Sequence, residues 1–173
     1  MQSFRSLVAF SLLSASLAFA GWTQDGAGSV TFDAKGPAGF KIHGVAPKIA
    51  VADDGKNLTV SFKLEDLDTD NGLRNKHMLE DSHAKEFPLV ILSVPVASLK
   101  EAGSDLFANG TLELNGQKKD VKFTYAPKCG ARSCEIDASA NINLGDFGIK
   151  VRSYLGVTVK PDIVIGAQFK VKK

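Results

Sequence analysis

The feature that most constrains this chain is a strict two-residue alternation of apolar and polar side chains. Leu58-Thr59-Val60-Ser61-Phe62-Lys63-Leu64 keeps it for seven positions, and Val121-Lys122-Phe123-Thr124-Tyr125 repeats it. Ile163, Ile165, Ala167, Phe169 and Val171 hold one parity almost to the end. In an extended chain successive side chains leave opposite faces, so these runs are strands with one apolar face. Turn signals separate them: Asp53–Asn57, Asn115-Gly116 and the Cys129–Cys134 loop. Asn-Gly directly behind Leu112-Glu113-Leu114 predicts a tight hairpin. Eight strands are expected, near 29–34, 39–46, 57–66, 87–95, 106–115, 118–127, 134–144 and 156–172. No repeat, linker or low-complexity segment interrupts them. The expectation is one all-β antiparallel domain, a barrel or a sandwich.

The N-terminus has a different character. Met1–Arg5 carries one positive charge, Ser6–Ala20 is uncharged and mostly apolar, and the run ends in Ala18-Phe19-Ala20. This is the pattern of a secretory signal, cleaved after Ala20. Residues 1–20 are therefore expected to be a signal peptide, and 21–173 a single exported domain, periplasmic or secreted. The apolar run is too short for a stop-transfer helix, and no cysteine follows the cut, so no stable membrane anchor is expected. The formal net charge is +2 with no basic block, which argues against a nucleic-acid partner.

The two cysteines, Cys129 and Cys134, lie in KCGARSCE. An oxidising compartment permits their pairing, and the short glycine-containing spacer suits a staple across a turn. Closing so short a loop contributes less than the ~3 kcal/mol expected of a fifteen-residue loop. The spacing fits neither CxxC redox chemistry nor CxxCH haem attachment.

One long stretch, Asn71–Glu86, breaks the alternation. Leu73, His77 or Met78, and Leu79 form a short helical stripe, with Asp70 or Asn71 as the cap. Pro88 returns the chain to extended geometry. A lone helix between strands near 71–86 reads as a lid or plug at a barrel mouth. The polar residues here do not assemble a known site. Asp66-x-Asp68-x-Asp70 begins like a calcium loop, but Asn71 replaces the required glycine and His77 the bidentate glutamate. His77 and His83 are spaced wrongly for one helical face, and His43 is remote, so no metal is expected. There is no GxSxG, and Arg74, Lys76 and Lys85 neutralise the nearby acids. Nothing marks the chain as an enzyme, and no cofactor is expected.

In order along the chain, several marks resemble the YceI-like family. Thr69, Arg74, His77 and Phe87-Pro88 match its crossover segment. Val30–Lys35 is similar to its opening strand, Asn109–Gly116 to its G-x-L-x-x-x-G hairpin, Asp146–Ile149 to its Asp-Phe-Gly-Ile, and Asp162–Ile165 to its closing D-x-V segment. The resemblance implies an eight-stranded antiparallel lipocalin-like barrel holding a long apolar ligand, a polyisoprenoid or an isoprenoid quinone. It implies a binding or carrier protein and not an enzyme. The chain departs from the family at Asn75, commonly Asp, at the more polar Asp81-Ser82, and at Leu144, where a basic residue is common.

On a barrel, parity assigns an inward face. The residues expected to line a ligand are Phe32, Phe40, Ile42, Val60, Phe62, Leu64, Val90, Leu92, Leu112, Leu114, Phe123, Tyr125, Ile165 and Phe169, with Val30, Leu58, Val121, Ile163 and Ala167 on the same face. This wall carries no cluster of charge. Each buried CH₂ of a ligand yields ~0.8 kcal/mol, so a tail of about ten carbons offers roughly 8 kcal/mol before entropy costs. The alternative is an exported stress or interaction protein whose phenylalanines fill a solid core. Thr69, Arg74, His77 and Phe87 are expected at the lid and rim. Arg74 and His77 either meet a polar head group or tether the helix, with Asp70 or a backbone carbonyl as the arginine's alternative partner. Oligomeric state is not fixed by any of these features.

Overall fold

The computed structural model describes residues 21–36, 39–154 and 157–173. The expected signal peptide lies outside them. Among the described residues twelve strands form: β1 (Thr23–Gln24), β2 (Ser29–Lys35), β3 (Lys41–Ala46), β4 (Ala50–Asp53), β5 (Asn57–Lys63), β6 (Leu89–Pro95), β7 (Leu106–Leu114), β8 (Gln117–Cys129), β9 (Ser133–Asn143), β10 (Ser153–Tyr154), β11 (Val157–Thr158) and β12 (Asp162–Lys172). One α-helix, α1 (Gly72–Asp81), joins β5 to β6.

Ten of the strands share one antiparallel sheet in the order β3-β2-β12-β9-β8-β7-β6-β5-β4, with β1 paired to the end of β12. The sheet curls into an open lipocalin-like barrel. The expectation of eight strands is corrected by β1 and β4, which are too short to show a sequence period. The expected strand 156–172 also divides, into the short β11 and the long β12. Its partner β10 makes a separate two-stranded ribbon.

The edges of the sheet, β3 and β4, are consecutive in sequence but are not laddered to each other. The seam is tied by a bridge from β3 to the segment after β5 and by a side chain of β1 that reaches β4. Val45 and Asp68 exchange two backbone hydrogen bonds, at 2.8 and 2.9 Å. The Gln24 amide donates to the Ile49 carbonyl at 3.2 Å and accepts from the Val51 N–H at 3.0 Å. Edge groups that would otherwise be open to pairing are thereby used internally.

The β7–β8 hairpin turns at Asn115 and Gly116, both with positive φ (52° and 68°), as the Asn-Gly pair predicts. Asn115 is also a strut: its side chain donates to the Phe147 carbonyl at 2.8 Å and accepts from His83 Nδ1 at 2.9 Å. Helix α1 starts where Asn71 accepts from the Arg74 N–H at 3.0 Å. It is shorter than the expected 71–86. The buried Ser82 hydroxyl donates back to the Met78 carbonyl at 2.7 Å, and turns carry the chain on to β6. Leu73, counted in the apolar stripe, faces solvent at 65% exposure. Met78 and Leu79 pack on the barrel instead. Cys129 and Cys134 stand opposite each other at the ends of β8 and β9 and are joined by a disulfide.

Candidate functional site

Inward parity follows from register. The pairs Val60–Leu92, Leu92–Leu112, Phe123–Ala140, Ala140–Ile165 and Ile165–Phe32 carry one face of the sheet around the barrel. Along the axis this interior divides into two halves with different packing.

The half next to α1 is filled. Ala34, Ile42, Leu64, Val90, Leu112, Leu114, Ile142, Phe147, Ile149 and Ile163 form a buried cluster there, with Phe32, Phe62, Leu92, Val121 and Ile165 packed against it. Phe147 is only 1% exposed and plugs this end from the 3₁₀ turn Leu144–Phe147. The Phe32 ring lies against Gly44 on the neighbouring strand, where a β-carbon would overlap it. Phe40 is a correction to the expected lining. It precedes β3 in the β2–β3 connection and is 58% exposed, so the strand parity that includes Ile42 does not extend to it.

The far half contains a cavity of about 80 Å³. Of the expected lining residues, Val60, Leu92, Phe123, Tyr125 and Phe169 reach it, together with Leu58 and Ala167. Others come from positions not assigned to the wall: Trp22, Val94, Leu99, Ile136, Ala138 and Val171. The parity of Ile136 and Ala138 is readable in Cys134-x-Ile136-x-Ala138-x-Ala140-x-Ile142, and Val171 ends an alternation already visible. Trp22 and Leu99 carried no such signal, because neither lies in an alternating run. The wall is apolar apart from the Tyr125 hydroxyl, the half-buried Trp22 indole and the loop residues Lys100 and Glu101.

The loop after β6 closes this end. Tyr125, 4% exposed, accepts a hydrogen bond from the Lys100 backbone N–H at 2.7 Å. Glu101 pairs with Lys173, whose ammonium sits 4.5 Å from the centre of the Trp22 ring. Helix α1 lies at the opposite end and contributes nothing to the cavity wall.

The lid and rim residues form a clasp at the seam. Thr69, 2% exposed, donates its hydroxyl to Asn75 Oδ1 at 2.6 Å and accepts from Arg74 Nε at 2.8 Å. Arg74 Nη2 donates to the Thr69 carbonyl at 2.6 Å. Asn75 also donates to Asp68 at 2.7 Å, and that bond, with the Asp70 N–H, holds the Asp68 carboxyl below the usual carboxylate range. Asp68 is the residue bridged to Val45, so the start of α1 is laced to the barrel seam. The far end of α1 is held by Arg152, which donates to Asp81 at 2.7 Å and Glu80 at 2.9 Å. The hydrogen bond from Arg152 pulls the Glu80 carboxyl down from its ordinary value. His77 is half-buried and makes no side-chain hydrogen bond among the described residues. The Phe87 ring rests on Gly116 at the hairpin tip.

The model of the YceI-like domain matches residues 4–171. The chain belongs to the YceI-like family. It is 30% identical over 137 residues to a UPF0312 protein of Enterobacter sp. strain 638, covering 75% of this chain and 62% of that one. It is 28% identical over 136 residues to Protein YceI of Escherichia coli, covering 75% and 63%. The match thus spans less than two thirds of these relatives' length. Three solved structures share the fold. A polyisoprenoid-binding domain from Saccharophagus degradans, implicated in plant cell wall breakdown, aligns with a TM-score of 0.69 at 12% identity, over 88% of this chain and 98% of that one. BcnA of Burkholderia cenocepacia aligns at 0.69 and 14%, over 83% and 95%. The YceI protein of Campylobacter jejuni aligns at 0.57 and 15%, over 100% and 99%. Likeness at these identities carries the YceI-like fold and no more.

Proposed function

We propose that this YceI-like barrel is a non-enzymatic carrier that holds a polyisoprenoid or isoprenoid quinone in its interior, in the periplasm. The observation that carries this reading is the curled wall of inward apolar residues with a cavity at one end, unmatched by any inward charge cluster among the described residues. Family membership, and a fold neighbour described as polyisoprenoid-binding, support it. The signal-like N-terminus supports export.

The cavity's size sets the mechanism. At about 80 Å³ it would hold only the volume of a few waters, whereas ligand sites typically run from ~300 Å³ upward. A long chain therefore enters only if the interior side chains give way. Phe32, Phe62 and Ile165 are half-buried and stand between the cavity and the plugged end, so their rotation would extend the chamber along the axis. Phe123, Phe169, Leu92 and Val60 would grip the part of the chain nearest the loop.

The small cavity also favours a second reading, in which the barrel is a packed scaffold and the surface binds a partner. Native mass spectrometry of protein purified gently from its host, followed by organic extraction, separates the two. The carrier reading expects a co-purifying isoprenoid. An empty mass, together with no uptake of added prenylated quinone, would eliminate it.

A further inference from the structure

We infer that the Tyr125 hydroxyl is the head-group donor of the barrel, and that it selects an isoprenoid ending in a neutral carbonyl, as a prenylated quinone does. The inference rests on the carrier reading above and deepens it.

Tyr125 lies on β8 opposite Ala138 of β9 and Leu106 of β7. Its ring packs 5.9 Å from that of Phe123 and is almost wholly buried. A phenol both accepts and donates. The acceptor role is filled by the Lys100 N–H at 2.7 Å. The O–H hydrogen finds no acceptor among the described residues, although the ring lines an apolar cavity. A buried donor left unmade is costly, and a ligand carbonyl arriving in the cavity would relieve that cost.

Charge decides against an anionic head. Transfer of an ionised group into an apolar chamber costs far more than transfer of a carbonyl. The carboxylate of Glu101 stands at the rim and would repel a diphosphate, while Lys173 is already engaged by Glu101 and the Trp22 ring. Lys100 is exposed, so a diphosphate could meet it only outside the cavity, with the Tyr125 donor still unmet. The head therefore sits by the loop that follows β6, and the tail points towards Phe32 and Phe62.

Trp22 supplies the readout. It is the only tryptophan in the chain and lines the cavity, so a quinone bound there quenches its fluorescence. The probes are a benzoquinone bearing a two-isoprene tail, the matching tail as a plain hydrocarbon, and the same tail as a diphosphate, the last two measured by competition. The wild-type protein is expected to prefer the quinone. Tyr125→Phe should weaken quinone binding by about 3- to 10-fold, the worth of one neutral hydrogen bond, and leave the hydrocarbon unchanged. Hydrocarbon binding by that variant also shows that the barrel is intact. Equal loss of quinone and hydrocarbon in Tyr125→Phe, undiminished quinone binding by that variant, or a diphosphate that outcompetes the quinone would each overturn the inference and leave the carrier reading standing. Failure of all three probes to bind the wild-type protein would remove the carrier reading itself, and the inference with it.

Discussion

Arg74 turns two of its donors back onto a single residue, Thr69: Nε reaches the hydroxyl at 2.8 Å and Nη2 the carbonyl at 2.6 Å. The partner is local, five residues away, yet Thr69 is buried beside the strand seam, so the bond fixes a helix to a barrel. Arg74→Ala is expected to destabilise the fold by roughly 1–3 kcal/mol, because it leaves the buried Thr69 carbonyl without this donor. Arg74→Lys should recover little, since an ammonium cannot reproduce the fork. Denaturant midpoints of the three proteins check this; a lysine variant as stable as wild type would show that charge alone matters.

Phe32 and Gly44 provide a second test. A β-carbon at position 44 would overlap the Phe32 ring. Gly44→Ala should therefore cost about 1–3 kcal/mol through overpacking. Combining it with Phe32→Leu should return part of that loss, a coupling that a double-mutant cycle measures directly. Additive effects would mean that the ring moves aside without cost.

Ala138 lines the cavity on β9. Ala138→Ile adds apolar volume close to the space available and suits a strand. It is expected to raise the stability of the empty protein by about 0.5–2 kcal/mol while reducing quinone uptake. Thermal unfolding and Trp22 quenching, measured on the same sample, read the two effects. Higher stability with undiminished uptake would place the ligand elsewhere.

The helix tether should respond to acid. Glu80 is held below its ordinary range chiefly by the Arg152 hydrogen bond, and Asp68 below its own by Asn75. A carboxyl whose folded value is depressed stabilises above the ordinary titration range, near pH 4, and loses that contribution as pH falls through the lowered value. Protection of the α1 amides from exchange should thus fall below about pH 4 in wild type, and fall less in Asn75→Ala or Arg152→Gln, where the tether is already weakened at neutral pH. Identical pH profiles in all three proteins would refute the tether.

Reducing the Cys129–Cys134 bond should cost less than ~3 kcal/mol, given so short a loop. Because Cys134 lines the cavity, the local effect should fall on that end of the barrel. Exchange protection at the β8 and β9 ends, compared with that in α1 under reductant, distinguishes a local from a global loosening.

Much of this molecule is determined by short-range pattern. Alternation marked the long strands and the apolar face they present, Asn115-Gly116 fixed a hairpin, Asn71 capped a helix, and the cysteine spacing matched opposed ends of two strands. These depend on φ, ψ and the two-residue period, which neighbouring residues set by themselves. Parity tells which face a side chain takes, but not the level along the axis at which it sits or what closes each end. Those followed only from register and from distant segments meeting. Phe147 plugs the helix end, while Trp22, Leu99 and Val171 converge around a cavity at the other. Phe40 keeps the inward parity and still lies in solvent, since the strand that would have turned it inward begins one residue later. Thr69 and Arg74 were recognisable as a motif, but their partners in each other and in the seam beside Val45 came from the folded chain, where the two edges of the sheet are brought close enough to be tied.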